Sequence, residues 1–138
     1  MLQRQSNRWL GFCLGLAVSG SLVAGCGGVD NRPAKWSFIA PAIVEPNCAT
    51  VSCHSAVAQR AGVILDTRER GYETLTTRGF VVRCQLGDTA CVDSAAATSE
   101  IIVLMRGQGS QRMPPDFALP APDIDLISTW ITKGALPD

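Results

Sequence analysis

The chain has 138 residues, with twelve basic and twelve acidic side chains and a formal net charge of zero. This length accommodates one domain, and the balanced charge excludes a predominantly basic surface, so we expect no nucleic-acid partner. The six cysteines and the single histidine are the first candidates for cofactor, metal or redox chemistry.

The N-terminus has the pattern of a bacterial secretion signal. The first eight residues carry two arginines and no acid, and residues 9–23 are uncharged and mostly apolar. About fifteen apolar residues are too few for a membrane span, which needs roughly twenty, but they suit a signal-peptide core. The letters VAGC at 23–26 resemble the lipobox of bacterial lipoproteins. We therefore predict that residues 1–25 are cleaved and that Cys26 is lipidated.

A lipidated Cys26 predicts a membrane-anchored protein in the cell envelope. A diacylglyceryl thioether with an additional N-acyl chain exceeds the two-chain minimum for stable anchoring. Glycine rather than aspartate follows Cys26, which by the sorting rule of proteobacterial lipoproteins favours the outer membrane, facing the periplasm, over the inner membrane. Residues 26–35 are Gly-rich and polar and are predicted to form a flexible tether. The folded domain is then residues 36–138.

This domain is predicted to be all-α with long loops, because helix signals recur along it and strand signals are weak. The segment 122–133 is the clearest helix, since Pro122 suits its first position and Gly134 its C-terminal cap. Trp130 and Met105 are interpreted as core residues. Further helices or helical turns are expected at 38–44, 72–77 and 99–106.

Cys84 and Cys91 bracket a polar, turn-like segment, QLGDTA. The spacing and the oxidising periplasm predict a local disulfide between these two cysteines.

The second cysteine pair lies beside the histidine. Four residues separate Cys48 from Cys53, and His54 follows directly as the only histidine of the chain. This arrangement resembles the haem-attachment motif of c-type cytochromes, in which two thiols form thioethers with the haem vinyl groups and the next histidine binds the iron. The usual motif has two residues between the cysteines, and wider spacings occur in some multihaem cytochromes. The resemblance implies Cys48 and Cys53 as haem thioethers and His54 as proximal ligand.

A six-coordinate haem iron needs a second axial ligand. No other histidine is available, so methionine is the natural candidate. Met113 precedes two prolines, which disfavour helical geometry and keep the loop extended. We therefore predict Met113 as the distal ligand.

Residues 40–138 as a whole resemble monohaem class I cytochromes c, most closely the cytochrome c-type modules of myxobacteria and planctomycetes. The likeness combines the Cys48–His54 motif, the Met-Pro-Pro loop at 113–115 and the closing helix with its Trp-Ile and Gly-Ala. It implies a small helical cytochrome c-like fold, one covalent haem c and electron transfer rather than catalysis. The partners would be redox proteins of the cell envelope.

Three other interpretations stay open. Cys48 and Cys53 are also compatible with a disulfide in a haem-free envelope lipoprotein that serves binding or scaffolding. A zinc site would have to use the adjacent Cys53 and His54, which are poorly placed to share one tetrahedral ion. A thioredoxin-like oxidoreductase would require two residues between the cysteines and an α/β fold.

Overall fold

The computed structural model describes residues 30–85 and 87–138. The regular structure of these residues is helical throughout and contains no β-strand, which confirms the all-α prediction. The predicted signal peptide and the lipidation site Cys26 lie outside the described residues. No helix within the described ranges combines the length and apolarity needed to cross a membrane.

The first helix of the described residues has three consecutive parts, and we call it the N-terminal helix. Helix α1 (Trp36–Ile39) continues through a π-helical turn (Ala40–Val44) into α2 (Glu45–Cys48). Four separate helices follow: α3 (Arg68–Thr77), α4 (Thr89–Thr98), α5 (Glu100–Arg106) and α6 (Ala121–Thr132). Short 3₁₀ turns lie at Arg60–Gly62 and Gly109–Gln111.

The N-terminal helix extends further than the sequence indicated. The sequence predicts a helix or helical turn at 38–44, and Pro46 disfavours its continuation because proline removes a backbone donor from a helix. The helix instead continues past Pro41 and Pro46 and ends at Cys48. Pro41 lies within the π-helical turn, a local rearrangement of the backbone hydrogen-bond pattern. Cys48 is therefore fixed to the end of a helix rather than placed in a loop.

Helix α3 starts four residues earlier than predicted. The Oγ1 atom of Thr67 accepts a hydrogen bond from the backbone of Arg70 at 3.3 Å and caps the helix. Gly71, which directly precedes the predicted segment 72–77, lies inside the helix and packs on Trp36. A Cβ atom at position 71 would lie 3.2 Å from Cζ2 of Trp36. This glycine therefore permits close approach of α3 to the N-terminal helix.

Helix α4 was not predicted. Asp88 caps it, because its Oδ1 accepts a hydrogen bond from the Cys91 backbone at 3.0 Å. The segment between Cys84 and Cys91, expected to be a loop, thus includes the start of a helix. The predicted disulfide between Cys84 and Cys91 is present and ties this start to the preceding segment. Helix α4 packs against α5 and α6.

The remaining two helices lie where the sequence placed them. Helices α5 and α6 agree with the predicted segments 99–106 and 122–133 to within one residue at each end. Gly134 follows α6 with a φ of +96°, the left-handed conformation expected of a C-terminal cap.

Aromatic side chains fill the crossing of the N-terminal helix with α3 and α6. Trp36 and Trp130 stack with ring centroids 4.9 Å apart, and Tyr72 packs against both at 6.3 and 6.4 Å. Each indole nitrogen has a partner: the two indoles donate to the carbonyls of Arg68 and Leu136, both at 2.8 Å. Trp130 is thus a core residue, as its helical position indicated.

Residues 30–35, the end of the predicted tether, lie against the domain. Arg32 bridges Asp30 and Asp123 in the first turn of α6. Lys35 lies 3.7 Å from the Asp138 carboxylate, so the start and the end of the domain meet. The described part of the tether is therefore held by one ion pair to α6 and by a second to the C-terminal residue Asp138.

Candidate functional site

The segment from Cys48 to His54 turns back on itself directly after the N-terminal helix. The His54 amide donates to the Cys48 carbonyl at 3.1 Å, and the Cys53 amide donates to the Thr50 carbonyl at 2.9 Å. The Leu65 amide donates to the His54 carbonyl at 2.8 Å. These bonds bring both cysteines and the histidine to one side of the turn despite the four-residue spacing.

A second segment reaches the same place from the other end of the domain. The chain folds back after α5, and the Met113 amide donates to the Leu104 carbonyl at 3.0 Å. Gly107 permits this reversal, because a Cβ atom there would lie 3.1 Å from the Gln111 carbonyl and 3.2 Å from that of Leu104. The Arg112 guanidinium donates to the carbonyls of both following prolines at 3.3 Å. The Met-Pro-Pro loop is thus held by the Arg112 side chain and by the bond of the Met113 amide to α5.

Between these two segments lies an apolar cavity of about 350 Å³. Cys48, Cys53, His54 and Met113, the four residues predicted to bind a cofactor, all line it. Met113 lies 59 positions after His54 in the sequence, so only the tertiary fold brings them together. The walls are mainly buried or half-buried apolar side chains: Val63, Leu65, Leu75, Phe80, Ile101 and Leu104. Such a volume lies within the range of small-molecule and cofactor pockets.

The two thiols in this cavity are free and differ in their surroundings. No disulfide joins Cys48 to Cys53 in the structure. Burial raises the pKa of Cys48 to about 11, and the neighbouring Cys53 adds to the rise. Hydrogen bonds from the hydroxyls of Thr50 and Ser52 lower the pKa of Cys53 instead. The pair therefore combines a buried, protonated thiol with a more accessible and more acidic one.

The imidazole of His54 is incompletely satisfied by the protein. Its Nδ1 atom is buried and has no hydrogen-bond partner among the described residues. A buried polar nitrogen without a partner destabilises the fold by about 1–3 kcal/mol. His54 is therefore not explained as a core histidine tied down by its neighbours.

Three further polar residues line the cavity and were not identified in the sequence: Asn47, Arg60 and Glu100. Asn47 adjoins Cys48, but Arg60 and Glu100 carry no spacing signal that relates them to the motif. Met105, interpreted only as core, is 4% exposed and also lines the cavity. Met113 is 39% exposed. The cavity thus has two methionines, one buried on a helix and one in a loop.

The described residues contain no group of three or more His, Cys, Asp or Glu side chains able to hold a metal ion. Comparison of the chain with protein-family models, with characterised proteins and with solved structures finds no significant match.

Proposed function

We propose that this protein is a c-type cytochrome lipoprotein that carries electrons in the bacterial cell envelope and holds one covalent haem. The observation that carries the proposal is the meeting of Cys48, Cys53, His54 and Met113 in one apolar cavity. Two thiols, an imidazole and a thioether are the donor set of a His/Met-ligated haem c. The four residues that the sequence analysis predicts as haem-binding come from two segments that lie far apart along the chain.

The cavity residues fit this group in three respects. The walls are apolar, as required around a porphyrin, and both thiols are free to form thioethers. His54 has a buried nitrogen without a hydrogen-bond partner among residues 30–85 and 87–138, so hydrogen bonds within this part of the chain do not explain its ring orientation. Met113 lies on a loop anchored at Leu104, which can present its sulfur to the cavity.

Each residue then has a distinct role. The Cys48 and Cys53 thiols would add across the vinyl groups, so that each sulfur bonds to carbon and its hydrogen is transferred to the vinyl group. His54 and Met113 would both hold the iron, so that the protein's own side chains would occupy the positions at which a substrate could bind. Bound haem would supply a one-electron iron couple, whose potential a methionine ligand raises. The apolar walls exclude water. This arrangement favours an electron carrier over an enzyme.

Two features support a location in the envelope. The disulfide between Cys84 and Cys91 is typical of proteins in oxidising compartments. The first 26 residues, outside the described part, have the pattern of a lipoprotein signal followed by a lipidated cysteine. We propose the periplasmic side of the outer membrane as the location and envelope redox proteins as the partners.

The proposal is tested by expressing the full chain in a bacterium that has haem-attachment machinery. A pyridine haemochrome spectrum of the denatured protein, with its intact mass, would reveal haem that survives unfolding. We expect a c-type spectrum that is lost when Cys48 and Cys53 are replaced by serine. A colourless, folded protein, produced beside a control cytochrome that matures normally, would contradict the proposal. A mass shift only on reduction, localised to Cys48 and Cys53, would then favour the haem-free, disulfide-stabilised lipoprotein.

A further inference from the structure

We propose that Asp66 is a positioning residue for His54: its carboxylate closes the loop that carries the histidine and so fixes the orientation of the imidazole in the cavity. The inference rests on the proposed function, because it concerns the binding of the haem iron by His54. It assigns a role to a residue that does not itself line the cavity.

Residues 54–66 form a closed loop. The Leu65 amide donates to the His54 carbonyl at 2.8 Å, and the Ala56 amide donates to Oδ2 of Asp66 at 2.9 Å. These two bonds join the start of the loop to its end. Leu65 also lines the cavity. The closure of the loop therefore determines where His54 and part of the cavity wall lie.

His54 depends on this closure for its orientation. A histidine that binds a metal is usually oriented by a hydrogen bond from its other ring nitrogen. Nδ1 of His54 is buried and makes no hydrogen bond within residues 30–85 and 87–138, so such a bond does not hold the ring in this part of the chain. The ring is oriented by its backbone instead, which is held at the His54 carbonyl and, two residues later, at the Ala56 amide.

The carboxylate of Asp66 is itself held in place. Its side chain is 21% exposed, and its second oxygen, Oδ1, is buried without a hydrogen bond among the described residues. Nη2 of Arg70 lies 3.0 Å from Oδ1 and is its ion-pair partner. The bond from the Ala56 amide to this carboxylate is charge-assisted and therefore stronger than a bond between neutral groups. It is also the part of the loop closure that one substitution can remove, because the Leu65 bond joins two backbone groups.

The reference protein for the test carries Cys48→Ala and Cys53→Ala, so that added ferric haem binds reversibly. Absorbance titration gives the affinity, and the spectrum distinguishes low-spin iron with both axial ligands from high-spin iron that has lost one. Asp66→Ala should weaken haem binding about tenfold, since substitutions of residues that orient a metal ligand typically cost about 10–100-fold. Its spectrum should shift toward that of His54→Ala. Asp66→Asn keeps an oxygen acceptor for the Ala56 amide and should restore most of both properties.

Asp88→Ala is the matched control. Oδ1 of Asp88 also accepts a hydrogen bond from a backbone amide, that of Cys91 at 3.0 Å, but Asp88 caps α4 and does not line the cavity. Its loss should leave the haem affinity and the spectrum unchanged. Amide hydrogen exchange of the haem-free protein locates each effect. Asp66→Ala should accelerate exchange at Ala56, and Asp88→Ala should accelerate it at Cys91.

The outcomes separate the role of Asp66 from the proposed function. If Asp66→Ala binds haem with the affinity and spectrum of the reference protein, the role of Asp66 is overturned, while haem binding and the proposed function stand. If Asp66→Ala does not fold, Asp66→Glu decides, because the added methylene displaces the carboxylate from the Ala56 amide. An unchanged spectrum of Asp66→Glu would then overturn the role. If the reference protein keeps its helical content but binds no haem, the proposed function fails and the inference fails with it.

Discussion

The two ends of the N-terminal helix differ in how completely the described residues bury and hydrogen-bond the side chains found there. At the crossing with α3 and α6, Trp36 and Trp130 are 1% exposed and both indole nitrogens donate hydrogen bonds. At the cavity end, His54 has a buried nitrogen without a described partner and Met113 is 39% exposed. The crossing is complete with the protein's own atoms, whereas the cavity end has nitrogen and sulfur groups suited to binding a ligand. Trp36 and Trp130 thus stabilise the fold, whereas His54 and Met113 are the residues that we propose bind a cofactor.

The largest loss of stability is expected from a substitution at the aromatic crossing. Trp130→Ala should lower the free energy of unfolding by about 3–5 kcal/mol, because removing a large side chain from a filled core leaves a cavity. Urea denaturation followed by circular dichroism measures this. Phe117→Ala is the control from the loop after the prolines, where the side chain is 47% exposed and the loss should stay at about 0.5 kcal/mol. Equal losses in the two variants would mean that the crossing is not the stabilising centre.

The two cavity methionines should differ in their contribution to the stability of the fold. Met105→Ala should lower the free energy of unfolding by about 2–5 kcal/mol, because this side chain is buried on α5. Met113→Ala should cost about 1 kcal/mol or less, because its side chain is partly exposed. Urea denaturation of the haem-free protein measures both losses.

If the protein carries haem as proposed, Met113→Ala should change the absorption spectrum of the iron more than Met105→Ala does. Met113→Ala should abolish the sulfur-to-iron charge-transfer absorption, and Met105→Ala should retain it. The opposite spectroscopic result would identify Met105 as the axial ligand.

The disulfide between Cys84 and Cys91 should contribute to the stability of α4, because this helix is rich in alanine and offers little apolar surface for packing. Replacing Cys84 and Cys91 by serine should lower the free energy of unfolding by about 2 kcal/mol, as expected for a short closed loop. Thermal unfolding with and without reductant measures the effect. Reductant should destabilise the parent protein and leave the variant unchanged. An unaffected parent protein would show that this disulfide contributes nothing to stability.

The smallest effect is expected at the histidine. In the haem-free protein, His54→Ala should change the free energy of unfolding by about 1 kcal/mol at most, because Nδ1 makes no hydrogen bond within the part of the chain that the structure describes. Ser99→Ala is the matched buried polar control. The Ser99 hydroxyl donates to the Ala95 carbonyl at 2.7 Å and accepts from the Val82 amide at 2.9 Å. Its loss should cost about 1–3 kcal/mol.

A loss of several kcal/mol in His54→Ala would contradict this contrast. It would indicate that His54 is a core residue and that its side chain stabilises the fold through contacts with its neighbours. Both variants are compared by urea denaturation under the same conditions, so that the difference between them is measured directly.

The predictability of the helices differed with the strength of their local signals. Helix α6 has an N-terminal proline, a periodic apolar face and a glycine cap, all readable within one segment. Helix α4 was missed because its start falls between Cys84 and Cys91, which had been assigned to a local turn. The Asp88 cap was the available signal. The predicted segment for α3 was too short because glycine is unfavourable inside a helix. The packing of Gly71 on Trp36 is a tertiary contact, which the local sequence does not reveal.

The helical class, the Cys84–Cys91 disulfide and the candidate ligands Cys48, Cys53 and His54 could be predicted from residue type and short spacing. Met113 was predicted from residue type alone, because no second histidine is present and two prolines follow it. The tertiary structure alone decided that His54 and Met113 line one cavity, since 59 positions of chain separate them. It also decided that Arg60, Glu100 and Met105 join them there. Local propensity acts over a few residues, whereas a cavity is created by packing between segments whose separation along the chain leaves no periodic signal.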